Sequence, residues 1–510
     1  MKTKGDKSTS AFAEHGMPQT IETLAAEIRD LYVEDSVPWV IGYSGGKDST
    51  AIVQLIWYAL SKLPPAQLTK TVHVISTDTL VENPVVAAWV TRSLEVMKAA
   101  AQKQNLPILP HRLTPTVQDS FWVNLIGRGY PAPRHKFRWC TERLKIKPSN
   151  AFINGIVRMS REAILVLGTR KAESSTRSRV MTSHEKNRVR ERLSPNAGLP
   201  GTLIYTPIET WSNDDVWLYL MQIKNPWGYN NKDLLGMYQG ASPDGECPLV
   251  VDSTTPSCGD SRFGCWVCTL VEKDKSMSAM IQNDSEKEWM LPLLELRNQL
   301  DRENDKPLRD FRRMSGAVQL MNDGRVIPGP YLQPVREDWL RRLLKAQTHI
   351  RKTGPADVNR IELITLEELQ EIRRIWVVDK HEFEDTLPAI YQECTGTEYP
   401  GRPLDDSQPL GADDLAVLKE QCGEDRLHYE MVRELLDVER RYRMRLRRAG
   451  LYESLEGAIK RHFYANEQDA VQRATLSGAA YAQAAKGDLS ATTALIAQTK
   501  RAKNTPASNQ

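Results

Sequence analysis

The chain has 510 residues, of which 40% are hydrophobic and 26% are charged, and its formal net charge at pH 7 is +3. These values predict a globular protein of two or three domains and exclude a disordered or strongly basic chain, so charge alone does not indicate a nucleic-acid partner. Residues 1–19 are polar and lack the apolar core of a signal peptide, and no apolar run is as long as a transmembrane helix. We therefore expect a cytoplasmic protein that does not contact a membrane.

A strand, a glycine-rich loop and a helix form the first predicted unit. The loop lies between an apolar run at 39–43 and a helical pattern of apolar residues, and it reads Ser44-Gly45-Gly46-Lys47-Asp48-Ser49-Thr50. Such a turn brings backbone N–H groups and the positive end of a helix dipole to one point, which favours phosphate binding. Its glycines let the backbone approach a ligand, its serines offer hydroxyl groups, and Lys47 adds a positive charge. The structural alternative is a polar turn without a ligand.

The alternation of strands and helices continues to about residue 207. Further strands are predicted at 71–76, 106–113, 164–167 and 203–207, and helices at 21–35 and 84–102. This pattern is typical of an α/β fold with a parallel sheet and helices on both faces. In that architecture ligands bind at the carboxyl ends of the strands.

Changes in composition divide the chain into four predicted parts. These are an N-terminal helix or arm at 1–36, an α/β domain with a four-cysteine segment at 37–283, a helical domain at 284–450, and a helical to disordered tail at 451–510. Within the helical part, residues 284–344 and 363–448 have helical patterns rich in Arg, Glu and Leu. Residues 324–334 and 400–411 have the composition of loops.

One cysteine, Cys140, lies among basic residues in the run Arg134-His135-Lys136-Phe137-Arg138-Trp139-Cys140-Thr141-Glu142-Arg143-Leu144-Lys145-Ile146-Lys147-Pro148. Neighbouring positive charges are expected to lower the pKa of this thiol and to favour the nucleophilic, sulfur-carrying thiolate. The same basic groups could instead hold the phosphates of ATP or of a polynucleotide. A solvated basic loop with a buried cysteine is the structural alternative.

Two further segments follow the fourth and fifth predicted strands. The first reads Gly168-Thr169-Arg170-Lys171-Ala172-Glu173-Ser174-Ser175-Thr176-Arg177. Its arginines suit an oxyanion, because the planar guanidinium group can bind two oxygens at once. The second segment, residues 207–217, we interpret as mainly structural. In it Ser212 is predicted to cap a helix whose Val216 and Trp217 enter the core.

Four of the seven cysteines are close together in the sequence, with the spacing C-x10-C-x6-C-x2-C: Cys247, Cys258, Cys265 and Cys268. In a cytosolic protein such a cluster indicates a metal or Fe–S site rather than disulfides. Four thiolates with a close terminal pair suit a 4Fe-4S cluster, and the long, uneven spacing favours it over the rival, a tetrahedral zinc site. Cys394 and Cys422 stand alone and are predicted to be ordinary core residues.

Arginine-rich stretches occur in the predicted helical part, at Arg312-Arg313, Arg341-Arg342 and 440–448. Such stretches can follow a phosphate backbone, and Tyr442 could stack on a base. A solvated helix face, or a partner-docking surface whose arginines pair with the many nearby acidic residues, explains them equally well.

The Ser44–Ser49 loop resembles the SGGxDS pyrophosphate loop of the N-type ATP pyrophosphatases, which cleave ATP between its α- and β-phosphates, and of the related sulfonucleotide reductases. Residues 168–177 resemble the G-x-R-x-x-E/Q-S-x-x-R segment of that superfamily, whose arginines hold the phosphate or sulfate end of the nucleotide. By the same resemblance Asp78 and Thr79 are expected to contact the adenosine, with a helix cap as the alternative. The run around Cys140 resembles a Cys-Cys segment of adenylylsulfate reductases, but it has one cysteine only, so a ligand role for Cys140 is in doubt.

Together with the segments 122–131, 207–217 and 263–268, these motifs resemble the DndC family of bacterial DNA phosphorothioation, a DNA sulfur modification linked to restriction–modification. The resemblance extends over residues 30–350. The resemblance implies an adenine nucleotide α-hydrolase-like (PP-loop) sheet with an Fe–S loop insertion. The implied nucleotide-binding residues are Ser44, Gly45, Gly46, Lys47, Asp48, Ser49, Asp78, Thr79, Gly168 and Arg170. The implied catalytic residues are Lys47, Asp48, Cys140, Arg170 and Arg177, acting with ATP and Mg²⁺.

The resemblance also implies a reaction and a set of partners. Transfer of AMP from ATP to a DNA backbone phosphate would turn a poor leaving group into a good one, so that sulfur could replace a non-bridging oxygen. The sulfur would come from a cysteine desulfurase, as a persulfide on Cys140 or as sulfide held at the cluster, and the sequence leaves both routes open. DNA and the DndD-like and DndE-like proteins are the other implied partners.

Three alternative functions remain. A sulfonucleotide (PAPS or APS) reductase would need a mobile Glu-Cys-Gly-Leu/Ile-His motif. That motif is absent here, and Glu393-Cys394-Thr395-Gly396 resembles it only weakly. A tRNA thiolase of the same superfamily would apply the same chemistry to a base. A scaffold subunit would bind the nucleotide and the cluster without catalysis, and the intact loop argues against it.

Overall fold

The structure is a computed structural model, and it describes residues 10–242, 263–404, 410–443, 445 and 447–484. The chain forms two compact units. The first, called here the α/β unit, comprises Met1–Phe121, Pro133–Asp301 and His349–Leu363, and the second, the helical unit, comprises Trp122–Ala132, Arg302–Thr348 and Ile364–Gln510. Because the two units are interleaved along the chain, the four consecutive parts expected from composition stay a prediction.

A six-stranded sheet forms the centre of the α/β unit. Its strands are β1 (Trp39–Gly42), β2 (Val72–Thr77), β3 (Ile108–Leu113), β4 (Ala163–Val166), β5 (Ser194–Pro195) and β6 (Thr202–Tyr205), in the order β3-β2-β1-β4-β6-β5. All neighbours are parallel except β5, which runs antiparallel to β6. The predicted parallel sheet is therefore confirmed. The two-residue β5 was missed because a strand that short has no sequence period.

Nine helices of the described part surround this sheet or follow it in the chain. They are α1 (Gly16–Glu34), α2 (Lys47–Leu60), α3 (Pro84–Lys103), α4 (Lys147–Ser160), α5 (Ser175–Lys186), α6 (Asn213–Gln222), α7 (Asn231–Gly240), α8 (Lys275–Asn283) and α9 (Leu291–Leu300). Successive strand residues point to opposite faces. Trp39 and Ile41 pack in the core with residues of α1, α2 and α6, whereas Val40 packs with Ile153 and Ile156 of α4. Helices therefore cover both faces, as predicted.

Helices dominate the remainder of the chain. They are α10 (Gln333–Thr353), α11 (Leu366–Arg374), α12 (Leu387–Thr395), α13 (Ala412–Cys422), α14 (Arg426–Arg443), α15 (Leu451–His462) and α16 (Glu467–Ala484). No helix in the described residues is both long enough and apolar enough to cross a membrane.

The predicted helical pattern at 284–344 is wrong for residues 301–323, whereas the loop predicted at 324–334 is confirmed as far as residue 332. Between α9 and α10, the segment 301–332 contains one short 3-10 turn, Lys306–Leu308, and otherwise loops and turns. Gly316 and Gly324 have φ near +80°, which a helix does not allow. A Cβ on Gly329 would lie 1.6 Å from the carbonyl oxygen of Arg312, so two backbone segments approach there as only glycine permits. The apolar spacing in this segment is therefore not helical.

Candidate nucleotide-binding and catalytic site

The Ser44–Ser49 loop joins β1 directly to α2, as the sequence predicted. Gly45 has φ +74°, and a Cβ at this position would lie 2.4 Å from Cγ2 of Val90, so a side chain is excluded on two grounds. Gly46 occupies the N-cap of α2 with extended backbone. Because glycine has no side chain with which to cap a helix, N–H groups of the first turn remain for an anionic ligand.

Hydrogen bonds of the two serines fix the shape of this loop. The Ser44 N–H donates to Oγ of Ser49 at 3.2 Å, and the Ser49 hydroxyl donates to the carbonyl of Gly46 at 3.0 Å. The Lys47 N–H donates to the Tyr238 hydroxyl at 3.4 Å, a contact that a phosphate oxygen could replace. The loop is therefore preorganised before any ligand binds.

Asp48 connects the loop to the segment that follows β4. Its carboxylate accepts a hydrogen bond from Lys47 Nζ at 3.0 Å and from Nε of Arg170 at 2.7 Å. Arg170 is only 4% exposed, and its Nη1 also donates to the carbonyl of Trp211 at 3.2 Å. A Cβ on Gly168 would lie 3.2 Å from the Asp48 backbone, so this glycine allows the two segments to touch. Two predicted motifs that are 122 residues apart in the chain therefore form one site.

A cavity of about 720 Å³ opens beside this loop. Its lining includes the ends of β1 and β2 and the residue that follows β4, Leu167, which is where the carboxyl-end rule for parallel sheets places a ligand. The volume falls within the range of about 300–1,000 Å³ found for small-molecule sites. Among the predicted binding residues, Ser44, Gly46, Lys47 and Asp78 line it.

Several residues that the sequence reasoning missed also line the cavity: Glu82, Arg112, Ser149, Asn150 and Tyr238. Lys145, from the basic run that was predicted as a possible phosphate-binding segment, and Phe263 line it as well. Arg112 could have been found, because it lies near the carboxyl end of the predicted third strand. It forms an ion pair with Asp78, with Nε 3.1 Å from Oδ2. Asp78 Oδ1 also accepts the N–H of Leu80 at 2.7 Å, so this carboxylate both fixes the turn and borders the cavity.

Thr79, by contrast, is fully buried, and its hydroxyl lies 3.2 Å from both Glu82 Oε1 and the Sγ of Cys265. Glu82 in turn pairs with Nζ of Lys145 at 3.2 Å. Burial raises the pKa of Cys265, and the charge of Glu82 raises it further. Burial alone would lower the pKa of Lys145, but the charges of Cys265 and Glu82 outweigh it and raise that pKa. Because Glu82 and Lys145 line the cavity and interact with Cys265, the Cys265 thiol lies next to the cavity wall.

The loop that carries Cys265 and Cys268 is held firmly against the start of α3. The Asn83 N–H donates to the carbonyl of Gly264 at 3.1 Å, and the Trp266 N–H to the carbonyl of Val81 at 2.9 Å. Arg297, 1% exposed, donates from Nε to the carbonyl of Cys268 at 3.0 Å. These contacts position the two thiols without engaging their sulfur atoms.

The other two predicted cluster ligands, Cys247 and Cys258, lie outside the described residues. Within the described residues, no group of three or more His, Cys, Asp or Glu side chains is placed to hold a metal ion. Cys265 and Cys268 supply soft thiol donors on one short loop, which fits one half of a four-cysteine site. The complete ligand set stays a prediction.

Cys140 lies directly before a π-helical turn, Thr141–Ile146, and is partly buried. Burial raises the pKa of its thiol, and the charge of Cys268 raises it as well. The lowered pKa expected from the basic sequence is therefore wrong. The main reason is the burial of the thiol. In addition, two of the neighbouring cations, Arg143 and Lys147, form ion pairs with Asp119.

Arg177 is not brought to the Ser44–Ser49 loop. It forms an ion pair with Glu173, its side chain is 48% exposed, and it lines a different cavity of about 220 Å³ together with Glu185 and Arg188. Its catalytic role, suggested by the motif alone, stays a prediction that this geometry does not favour.

The structural predictions for residues 207–217 are confirmed. The Ser212 side chain accepts the N–H of Asp215 at 3.0 Å and caps α6, and both Val216 and Trp217 are completely buried. Cys394 is buried, as expected. Cys422 is only partly buried.

The arginine-rich stretches are largely paired with acidic side chains. Arg312 contacts Asp310 and Glu430, Arg341 contacts Glu393, and Arg440 and Arg441 both contact Asp437. This pattern favours the interpretation in which these arginines pair with nearby acidic residues, because a neutralised guanidinium attracts a phosphate backbone weakly.

Comparisons with known proteins agree with the geometry. Residues 38–270 match the family model described as the phosphoadenosine phosphosulfate reductase domain. An uncharacterized protein of Methanocaldococcus jannaschii is 24% identical over 245 residues, which are 48% of this chain and 39% of that protein, so the chain spans about two fifths of the curated relative that it matches.

Two solved structures are also similar to the chain. A phosphoadenylyl-sulfate reductase from Candida auris, in a phosphate complex, has 16% identity and a TM-score of 0.27, covering 45% of this chain and 95% of its own. The U34-tRNA thiolase NcsA from Methanococcus maripaludis, with its 4Fe-4S cluster, has 12% identity and a TM-score of 0.25, covering 59% of this chain and 88% of its own.

Proposed function

We propose that this chain, whose residues 38–270 match the model of the phosphoadenosine phosphosulfate reductase domain, is a DndC-type ATP pyrophosphatase of DNA sulfur modification. It would transfer AMP to a backbone phosphate of DNA, so that sulfur can replace a non-bridging oxygen. The observation that carries the proposal is that the Ser44–Ser49 loop, held by the Asp48–Arg170 pair, borders a cavity of about 720 Å³.

ATP would bind with its β- and γ-phosphates on the loop and its nucleoside in the cavity. The N–H groups at the start of α2, the serine hydroxyls and Lys47 are donors for phosphate oxygens. Asp78 and Tyr238 border the remaining space, in which the adenosine would lie. This orientation leaves the α-phosphorus between the loop and the open side of the cavity.

In the first step a non-bridging oxygen of the DNA phosphate attacks the α-phosphorus of ATP. The bond from that phosphorus to the bridging oxygen of the β-phosphate breaks, and pyrophosphate leaves on the loop. The protein contributes positioning and charge neutralisation, since phosphoryl-type transfers need little covalent help. Asp48 and Asp78 are the carboxylates that could hold Mg²⁺, which would neutralise phosphate charge when bound.

In the second step sulfur attacks the activated DNA phosphorus and AMP leaves. If a cysteine desulfurase charges Cys140 as a persulfide, its terminal sulfur forms the new S–P bond, and a thiol reductant then cleaves the S–S bond. The alternative sulfur source is a 4Fe-4S cluster held by Cys247, Cys258, Cys265 and Cys268, which when bound would offer a site for sulfide. The electrostatic effect of Cys268 on Cys140 supports a position of Cys140 near that loop.

The partners in this proposal are DNA, the cysteine desulfurase and the DndD-like and DndE-like proteins. A DNA strand would reach the α-phosphorus from the open side of the cavity.

The test is pyrophosphate release from ATP by protein purified without oxygen, with and without duplex DNA. DNA-stimulated release that is lost in Ser44→Ala and Asp48→Ala supports the proposal. Ser61→Ala is the matched control, because this exposed serine lies just after α2 and its hydroxyl donates to the carbonyl of Tyr58, away from the Ser44–Ser49 loop. Release stimulated by tRNA alone would change the substrate to that of a thiolase, and release unchanged in both loop variants would leave only the scaffold function.

The second candidate is a sulfonucleotide reductase, and the description of the matching family favours it. That reaction needs a mobile nucleophilic cysteine. Cys394, the cysteine of the faint reductase-like motif, is 8% exposed and its thiol donates to the carbonyl of Arg341 at 3.8 Å, so it is held in the core of the helical unit. Sulfite release from a sulfonucleotide, without any pyrophosphate release from ATP, would establish the reductase instead.

A further inference from the structure

A second cavity, of about 490 Å³, lies within the helical unit. Seven Lys or Arg, five Asp or Glu and two His residues line it, an excess of two positive charges before the histidines are counted. Sites for uncharged small molecules are lined mainly by apolar side chains. A lining this charged therefore predicts a ligand that carries charge itself.

The five carboxylates of the cavity already have cationic partners. Asp310 and Glu430 each contact both Arg312 and Arg426, at distances between 2.6 and 2.8 Å. The other three pairs are Glu434 with Arg461, Glu382 with Arg336, and Asp379 with Arg374. The acidic side chains are therefore largely neutralised, and the charge that a ligand would meet is positive.

Three lining cations lie outside these pairs. Of these, Arg433 pairs with Glu384, and Arg313 donates to the carbonyl of Pro328 at 3.3 Å. The third is Lys380. It lines the cavity, is partly buried, and has no ion-pair partner within 4 Å among the residues that the structure describes. Burial lowers the pKa of Lys380 to about 8, and the positive charge of Arg336 contributes to the same effect, whereas the negative charges of Glu382, Glu430 and Asp310 oppose it only in part. An ammonium group held among other cations is unfavourable unless an anion binds beside it.

Arg336 provides a second open donor in the same wall. It is 2% exposed, its Nε donates to the carbonyl of Tyr331 at 3.1 Å, and its guanidinium carbon lies 5.4 Å from the centroid of the Trp376 ring. These contacts fix the plane of the guanidinium. Its Nη1 has no hydrogen-bond partner within the described part of the chain, although the atom is buried. Glu382 Oε2 is a buried acceptor that also has no hydrogen-bond partner within the described part of the chain.

We propose that this cavity binds a phosphate-like oxyanion through Lys380 and Arg336, with Glu382 accepting a hydrogen bond from a hydroxyl of the same anion. The singly protonated form of phosphate or of a phosphate ester offers both features, negatively charged oxygens and one O–H group. The anion could be free phosphate or pyrophosphate, or a phosphate of a bound polynucleotide. This site is separate in sequence and in function from the nucleotide site of the α/β unit, and does not depend on the reaction proposed for it.

The test uses pyridoxal 5′-phosphate, which joins a phosphate to an aldehyde that forms an imine with a neutral amine. Borohydride reduction fixes the imine, and peptide mapping of the full chain identifies each labelled lysine. At pH 8 a lysine of pKa near 8 has a neutral fraction on the order of a hundredfold larger than an ordinary lysine. We expect Lys380 to be labelled preferentially, at least about tenfold faster by pyridoxal 5′-phosphate than by pyridoxal, because only the former carries the anion.

Protection experiments identify the source of the anion. Protection of Lys380 by inorganic phosphate or pyrophosphate supports a free-anion site, and protection by duplex DNA at phosphate concentrations that do not protect supports a polynucleotide phosphate. Lys380→Met should remove the labelled peptide. In a thermal-shift titration, Lys380→Arg should bind phosphate more tightly than Lys380→Met. The matched control is Lys419→Met, at an exposed lysine on α13. Equal labelling of Lys380 by both aldehydes, or no protection by any of these anions, would overturn the proposal.

Discussion

The Nε atom of Arg170 donates a 2.7 Å hydrogen bond to Oδ1 of Asp48 from an almost fully buried position. Asp48 lies in the first turn of α2 and Arg170 follows β4, so the bond fixes the Ser44–Ser49 loop relative to the neighbouring strand of the sheet. The other oxygen of Asp48 accepts from Lys47, which places two cations on one carboxylate. The pair therefore sets both the position and the charge of the loop.

We expect Arg170→Lys to abolish most ATP-dependent pyrophosphate release while the chain stays folded. A lysine keeps the charge but cannot bond Asp48 and the Trp211 carbonyl at once, so the loop loses its orientation. A loss of about 10²-fold or more in kcat/KM is consistent with the removal of a positioning contact. Arg177→Lys is the matched control, since Arg177 lines another cavity, and an equal loss in the two variants would contradict this assignment.

Gly45→Ala should destabilise the loop strongly. The left-handed conformation at φ +74° costs a residue with a Cβ about 1–2 kcal/mol, and the 2.4 Å approach to Val90 adds a steric penalty. We expect a lower melting temperature and loss of nucleotide binding, measured by thermal unfolding with and without ATP.

Gly155→Ala gives the comparison for that variant, because Gly155 lies inside α4 and a Cβ there would meet nothing within 4 Å. It should raise stability by up to about 1 kcal/mol, as alanine does in a helix interior. If both alanine variants shifted the melting temperature in the same direction, the strain assigned to Gly45 would be wrong.

The loop and its anion-binding geometry could be predicted from sequence, because strand, glycine turn and helix are contiguous and each has a local signal. The sequence marked Asp48 and Arg170 as candidates in two separate motifs but did not predict that they pair, because that contact depends on the order of strands in the sheet. Lys145 was visible as a basic residue, but its contact with Glu82 is long-range, and no periodicity marks such a pair. The pKa of Cys140 was predicted in the wrong direction because sequence shows neighbouring charges and hides burial and competing ion pairs.

Cys140 and Cys265 should separate the two steps of the proposed reaction. Cys140→Ser should leave DNA-stimulated pyrophosphate release intact and abolish phosphorothioate formation if this thiol carries the persulfide sulfur. Cys265→Ser should lower the iron content of anaerobically purified protein, because a serine hydroxyl replaces a thiolate donor. The measurements are pyrophosphate release, phosphorothioate in digested DNA, and iron and zinc per chain.

Cys422→Ser is the control for both of these variants, since Cys422 is a partly buried residue of α13. Phosphorothioate formation that persists in Cys140→Ser would assign the sulfur to the cluster route. Zinc in place of iron in the unmodified protein would instead identify the rival tetrahedral site.

Lys380 predicts an unusual dependence of stability on pH. Its pKa is lowered to about 8 in the folded chain, whereas an unfolded lysine has a pKa of about 10.4. Below pH 8 Lys380 is protonated in both the folded and the unfolded chain, so the buried charge destabilises the folded chain fully. Between about pH 8 and about pH 10.4 the folded chain loses this proton before the unfolded chain does, so the stability of the fold increases with pH. We expect Lys380→Met to be more stable than the unmodified protein at pH 7, by about 1–2 kcal/mol after solvent screening. Urea unfolding at pH 7 and pH 10.5 should show this difference shrinking at the higher pH, and added phosphate at pH 7 should stabilise the unmodified chain more than Lys380→Met. A difference that is the same at both pH values would mean that Lys380 is not a destabilised cation.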